Sequence, residues 1–226
     1  MGVNIGNKEL KDAYIGDKPI KKIYLGNKLL WQRLPYEAEI EYLEGSGTQY
    51  IDTLIVPTKN TSIECKYVFK EYNNTQIVFG CTDSATSNDA KNGILNLHLT
   101  AGTRRVGFGN GSGTIFASNT LSQPNTEYVI YFNKNTVYVN ETLIKTFPTS
   151  DWSTDKTLYI FGRNSGTKYP LNGYIEYFKM WDGETLVRDY IPVRVGQVGY
   201  MYDKVSRQLF GNSGTGNFIL PLGGGV

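Results

Sequence analysis

Glu39-Ile40-Glu41-Tyr42-Leu43-Glu44 sets carboxylates at the first, third and sixth positions of a strand-like stretch. Paired carboxylates can cleave a glycosidic bond, one attacking or activating water while the other donates a proton. On an outer strand the same three face solvent with Ile40 and Tyr42 inward, and that is the expected reading. His98 is the single histidine. It lies in Asn96-Leu97-His98-Leu99, with no nucleophile pattern from which a catalytic triad could be built. Cys65 and Cys81 are the two cysteines, with too few metal-type ligands around them for a zinc site. They are expected to pack as apolar side chains, a cross-strand disulfide being the alternative in an oxidising setting. Gly107-Phe108-Gly109-Asn110-Gly111-Ser112-Gly113 is glycine-rich, but no helix signal follows, and a phosphate cradle needs that helix N-terminus. Asp52, Asp83 and Asp89 are loop-adjacent oxygens, short of the about six to eight that calcium takes. The chain is therefore expected to be non-enzymatic, without metal or cofactor.

Sugar recognition asks for an aromatic platform with polar groups on rim loops. Trp152, Tyr169 and Trp181 are the candidates for such a site. Trp181 ends a strand-like run and is expected in the core or at a hinge.

The elements that must position these residues read as strands. Hydrophobic residues make up 40% of the 226 and charged residues 19%, which suits a folded core rather than disorder. Seventeen Tyr and ten Phe favour pleated, half-buried strands, and 25 Gly favour tight turns. Net charge is +2, without the strongly basic face that nucleic acid requires. No apolar run is long enough to span a membrane. The opening MGVNIGNKEL lacks a secretion-signal core, so a mature form or an unsecreted protein is expected.

Residues 1–34 form a decad repeat. Ile5-Gly6-Asn7-Lys8, Ile15-Gly16-Asp17-Lys18 and Leu25-Gly26-Asn27-Lys28 recur at a spacing of ten, with Gly-Asn or Gly-Asp where a primed hairpin turn belongs. Up to Arg33 the segment carries seven basic and three acidic residues, a balance of +4, against −2 for the rest. So small a ribbon cannot bury its own apolar side chains. Ile15, Ile23, Leu25, Leu29 and Trp31 are therefore expected to pack on another chain, making a homo-oligomeric anchor, dimer or trimer. The alternative folds the arm onto its own body.

Residues 35–226 alternate short strand candidates with turns, as an antiparallel β-sandwich does. One registered hairpin turns at Asn73 and sets Phe69 against Ile77, Tyr67 against Phe79 and Cys65 against Cys81. A second runs Tyr128–Phe132 to Thr136–Val139 and continues through Asn140-Glu141 into Leu143-Ile144.

Certain stretches resemble a known family. Tyr42-Leu43-Glu44-Gly45-Ser46-Gly47-Thr48-Gln49-Tyr50-Ile51-Asp52-Thr53, Val137-Tyr138-Val139-Asn140 and Gly173-Tyr174-Ile175-Glu176-Tyr177-Phe178-Lys179-Met180-Trp181 resemble laminin-G/concanavalin-like jelly-roll domains. Arg188-Asp189-Tyr190-Ile191-Pro192-Val193-Arg194, with Gly199-Tyr200-Met201-Tyr202-Asp203 and Leu209-Phe210-Gly211-Asn212, is similar to modules of virion proteins from phages of gut bacteria. The decads look like short modules that open phage tail and fibre proteins. These resemblances imply an all-β jelly roll behind a β-meander arm. They further imply a non-enzymatic virion subunit, a head or tail fibre or decoration protein, assembled in the host cytoplasm and exposed on the particle. Its partners would be other virion proteins and host or mucosal glycans, and a bacterial carbohydrate-binding lectin is the rival reading. Some glucanases of this fold carry Glu-x-Asp-x-x-Glu mid-chain; here Glu41 replaces the Asp and the stretch opens the body, so a hydrolase is the least favoured reading.

Overall fold

Each decad folds into its own two-stranded hairpin. β1 (Asn4–Ile5) pairs with β2 (Lys8–Glu9), β3 (Tyr14–Ile15) with β4 (Lys18–Pro19), and β5 (Lys22–Leu25) with β6 (Lys28–Gln32). The second and third turns are Gly16-Asp17 and Gly26-Asn27. Both glycines have φ of 59°, a conformation that side chains resist. Ile20 N donates to the Ala13 carbonyl at 2.7 Å, and Arg33 N to the Lys21 carbonyl at 2.9 Å. Arg33 also pairs with Asp12 at 3.1 Å. The computed structural model describes residues 4, 5, 8–10, 12–71, 74–82, 93–100, 105–110, 115–118, 123–149, 151–165 and 167–221, so the Gly6-Asn7 turn lies outside it. The chain divides into two units, Met1–Glu37 and Ala38–Val226.

The second unit is an antiparallel β-sandwich of jelly-roll type. Its strands are β7 (Ala38–Glu39), β8 (Leu43–Ser46), β9 (Ile51–Asp52), β10 (Thr61–Phe69), β11 (Gln76–Thr82), β12 (Gly93–Thr100), β13 (Arg105–Asn110) and β14 (Ile115–Ser118). There follow β15 (Tyr128–Asn133), β16 (Thr136–Val139), β17 (Thr142–Thr146), β18 (Tyr159–Ile160), β19 (Asn172–Asp182), β20 (Thr185–Val195), β21 (Val198–Asp203) and β22 (Gln208–Phe210). The larger sheet runs β17-β16-β15-β10-β19-β20-β21-β22, with β7 beside β20 and β8 beside β19. The smaller runs β14-β13-β12-β11-β18-β9. The two sheets meet where Phe79 of β11 lies edge-on to Phe178 of β19, ring centroids 5.8 Å apart. Around that contact Ile63, Cys65, Leu97, Ile130, Ile160 and Met180 are buried in one core. Burying a side chain of this size contributes roughly 1.5–3 kcal/mol.

The Tyr128–Phe132 hairpin forms as expected. Asn133 faces Thr136 across a turn in which Lys134 has φ of 54°. Asn140 and Glu141, with φ of 46° and 66°, then make the tight turn into β17.

The other expected hairpin does not form. β10 pairs with β15 and β19, whereas β11 pairs with β12 and β18, so Cys65 and Cys81 stand in different sheets. Cys65 faces Ile130 and Phe178, and Cys81 faces Leu95. Both are buried and neither forms a disulfide, and burial pushes the Cys65 thiol well above its usual pKa. The apolar match between the two strands is real, but it reflects two inner faces meeting across the sandwich rather than one hydrogen-bonded ladder.

The Tyr42–Thr53 motif acts as a clasp for the end of the chain. Gln49 is buried; its Oε1 accepts from Ser46 N at 2.8 Å and its Nε2 donates to the Asn217 carbonyl at 2.9 Å. Asn212 Oδ1 accepts from Tyr50 N at 3.1 Å, and Glu44 and Ile219 exchange backbone hydrogen bonds at 3.1 and 2.8 Å.

Candidate functional site

The glutamate series does not form a carboxylate pair on one strand. The chain leaves strand geometry over residues 40–42, so Glu39 stands on β7 beside Val193 and Glu44 on β8 beside Tyr174. Glu39 and Glu41 are exposed. Glu44 is 8% exposed and ion-paired with Lys70, which corrects its reading as a solvent-facing residue. Ile40 is buried, and Tyr42 stacks on Tyr174 with centroids 4.3 Å apart. His98 occupies β12 opposite Ile77 and Gly107. Asp52 is consumed by a local turn, its Oδ1 accepting from Leu54 N at 2.8 Å. Asp83 and Asp89 lie outside the described residues. Among the described residues no three His, Cys, Asp or Glu converge as metal ligands do.

An open cleft of about 410 Å³ is lined by Thr58, Lys59, Asn60, Asp151, Trp152, Ser153 and Asp182. One wall is the turn entering β10. Thr58 N donates to Thr61 Oγ1 at 2.8 Å, Asn60 N to Thr58 Oγ1 at 3.1 Å, and Gly183 N to the Asn60 carbonyl at 3.2 Å. Asp182 ends β19 directly opposite Thr61, and Thr58 Oγ1 donates to its Oδ1 at 2.8 Å. The other wall is the connection from β17 to β18, anchored by Thr154 Oγ1 donating to the Thr82 carbonyl at 2.7 Å. Trp152 on that connection is half-buried, one part packed on the core and the other facing the cleft. Lys59 and Asp151 form an ion pair across the cleft. The hydrogen bond from Lys59, and then its charge, hold the Asp151 carboxyl below the ordinary range. One Lys against two Asp leaves the cleft with a single net negative charge. An aromatic wall with a few convergent polar groups is the composition of a small-molecule or sugar site.

Of the three sugar-site aromatics considered from the sequence, Trp152 lines this cleft and Tyr169 and Trp181 do not. Tyr169 lies on the β18–β19 connection with φ of 49°, its carbonyl accepting from Ile77 N at 2.8 Å. The buried Arg163 guanidinium lies 5.4 Å from its ring centroid. Tyr169 thus covers a buried cation. Trp181, expected in the core or at a hinge, is half-buried on β19 opposite Ser62 and edge-on to Tyr131 at 6.4 Å. Lys59, Asn60, Asp151 and Asp182 carry no sequence signal of their own; Lys59 and Asp151 are 92 positions apart.

The arm residues divide by burial. Ile15 is 75% and Leu25 70% exposed, while Ile23 and Leu29 are half-buried. Trp31 is 6% exposed and its indole N–H donates to the Leu10 carbonyl at 2.5 Å. The largest apolar group of the arm is thus covered within the chain itself and its polar atom satisfied.

No family model and no curated sequence matches this chain. Among solved structures it is similar to a Bacteroides ovatus ATCC 8483 protein inferred to bind carbohydrate, at 14% identity and a TM-score of 0.52. That likeness covers 84% of this chain and 63% of the other, so this chain spans less than two thirds of that protein. It is also similar to the CBM40 module of the Ruminococcus gnavus IT-sialidase, at 18% identity and a TM-score of 0.46, over 64% of this chain and 91% of the module. The first likeness shows a shared β-sandwich fold.

Proposed function

We propose that the sandwich is a non-catalytic carbohydrate-binding module whose site is the Trp152 cleft. The observation that carries this is the half-buried indole of Trp152 facing an open cleft beside Lys59, Asn60, Asp151 and Asp182. A sugar presents an apolar C–H face to such a ring and hydroxyls to the surrounding carboxylate, ammonium and amide groups. The fold shared with the Bacteroides ovatus protein supports the reading. A glycan array probed with the full chain, followed by titration calorimetry on the best binder, tests it. Replacing Trp152 with Ala is expected to weaken binding at least about tenfold, close to 1.4 kcal/mol. Asp151→Ala, at an exposed position, checks the result without touching the core. An array without signal, or full affinity in both variants, overturns the reading.

The arm carries a second reading, attachment to a larger assembly such as a virion, with the sandwich displayed outward to glycans. Its support is the exposure of Ile15 and Leu25 at equivalent positions of successive decads, on a segment with a +4 balance. Light scattering of the full chain and of an Ile15→Lys/Leu25→Lys variant tests it. Self-association lost in the variant supports an anchor, and a monomer in both cases removes the oligomeric form of the idea.

A further inference from the structure

The turn that walls one side of the cleft spends its backbone donors on itself. Thr58 N donates to Thr61 Oγ1, Asn60 N to Thr58 Oγ1, and Thr61 N to the Thr58 carbonyl at 3.0 Å. Gly183 N is taken by the Asn60 carbonyl. The Thr58 hydroxyl gives its hydrogen to Asp182 Oδ1 at 2.8 Å. Asp182 itself stays exposed, and its Oδ2 meets no donor among the described residues. Lys59 is matched by Asp151. The surplus charge of the cleft is therefore the Asp182 carboxylate, which shares the cleft with the indole of Trp152.

Resting on the reading of the cleft as a glycan site, we propose that its ligand is a glycan carrying a free amine, an amino sugar in its cationic form, recognised by the Asp182 carboxylate and the Trp152 ring together. Three features carry the proposal. An ammonium offers three donors and no acceptor, which fits a wall whose backbone donors are spent and whose open group is a carboxylate. A hydrogen bond between two charged partners is stronger than one between neutral groups. The face of an indole attracts a cation more strongly than the other aromatic side chains do, so the ring that takes the C–H face of a sugar also favours an ammonium upon it. A neutral sugar uses the ring but leaves the charge of Asp182 unmatched. An anionic sugar is repelled by that charge, while Lys59 is already engaged by Asp151.

The test is calorimetry of the full chain, in mildly acidic buffer, with tetrasaccharides of glucosamine, N-acetylglucosamine and glucose joined by the same linkage. The best neutral binder of the glycan array is compared with its amino-deoxy form in the same way, and lactose with 3′-sialyllactose. The amine form is expected to bind at least about fivefold more tightly than its hydroxyl and N-acetyl counterparts. Asp182→Asn keeps an acceptor for the Thr58 hydroxyl and removes the charge, so it is expected to bring that ratio to about one. Trp152→Ala is expected to weaken the amine form, and thermal melts establish that both variants are folded. Four results overturn the proposal: equal or weaker binding of the amine form, an unchanged ratio in Asp182→Asn, amine binding that survives in full in Trp152→Ala, or tighter binding of 3′-sialyllactose than of lactose. Neutral sugars bound through Trp152 would then leave the cleft standing as a glycan site. Failure of every sugar to bind, aminated or not, removes the glycan reading itself, and this inference with it.

Discussion

At the scale of single residues, stability rests on charges that lie outside the Trp152 cleft. Asp203 is fully buried at the β21–β22 turn. Its carboxylate accepts from the backbone N–H groups of Asp189 (2.9 Å), Val205 (3.1 Å) and Ser206 (3.1 Å), and Arg188 lies 3.7 Å away. Asp203→Ala strands all three donors and the cation, so it is expected to cost about 3–5 kcal/mol in urea unfolding. Lys66 ties Glu176 at 2.7 Å and Glu127 at 2.9 Å on the outer face of the larger sheet. Burial first, opposed by the hydrogen bond from Lys66, raises the Glu176 pKa; a separate hydrogen bond from Lys66 lowers the Glu127 pKa. In Lys66→Met the penalty for ionised Glu176 grows. It applies above the raised pKa and is relieved as pH falls toward 4.5 and the carboxyl takes up a proton. The stabilisation of wild type by Glu127 has the opposite sign and is itself lost below 4.5. Both effects narrow the gap in acid. The variant is expected to be about 1–2 kcal/mol less stable at neutral pH, with the difference shrinking in acid, as urea midpoints at the two pH values would show.

At the scale of elements, the local turns carry their own strain and the strand contacts their own tolerances. Glu141 holds φ of 66° in the β16–β17 turn, while Asn140 Oδ1 accepts from Val129 N at 2.9 Å. Glycine at position 141 suits that backbone, and Glu141→Gly is expected to stabilise by about 0.5–1 kcal/mol, seen as a raised Tm. Gly173 behaves oppositely. A Cβ there would lie 2.1 Å from the Val68 carbonyl oxygen and 2.8 Å from Phe69 Cα. These are backbone atoms of β10 that cannot rotate away, so Gly173→Ala is expected to destabilise by about 2–3 kcal/mol through overpacking. The misassigned hairpin belongs to this scale too. Alternation with period two marks which side of β10 is buried, but any strand with an apolar inner face satisfies it. The choice among β11, β15 and β19 rests on contacts more distant in sequence.

At the scale of the whole molecule, removal of Met1–Glu37 is expected to leave a sandwich that melts cooperatively and retains its glycan affinity, because every residue of the proposed site lies in Ala38–Val226. Loss of cooperative melting in the truncated protein would contradict it. The Gly16-Asp17 and Gly26-Asn27 turns, the Asn133–Glu141 hairpins and the burial of Cys65, Tyr67 and Phe69 in β10 were legible in the amino-acid sequence. Each rests on φ preferences or side-chain alternation within a few residues. Trp152 was legible as a sugar-site candidate from its type and loop setting alone. Its surroundings were not. Lys59 meets Asp151, and Thr58 meets Asp182, only because β10 lies against β19 while the β17–β18 connection closes over their ends. The same long-range closure buries Glu44 against Lys70, separates Cys65 from Cys81 into two sheets and turns Trp181 outward beside Tyr131. Local sequence specifies which residues seek burial and where the chain reverses. Which strands become neighbours is decided by packing both sheets at once, a cooperative choice that no short stretch of the chain contains.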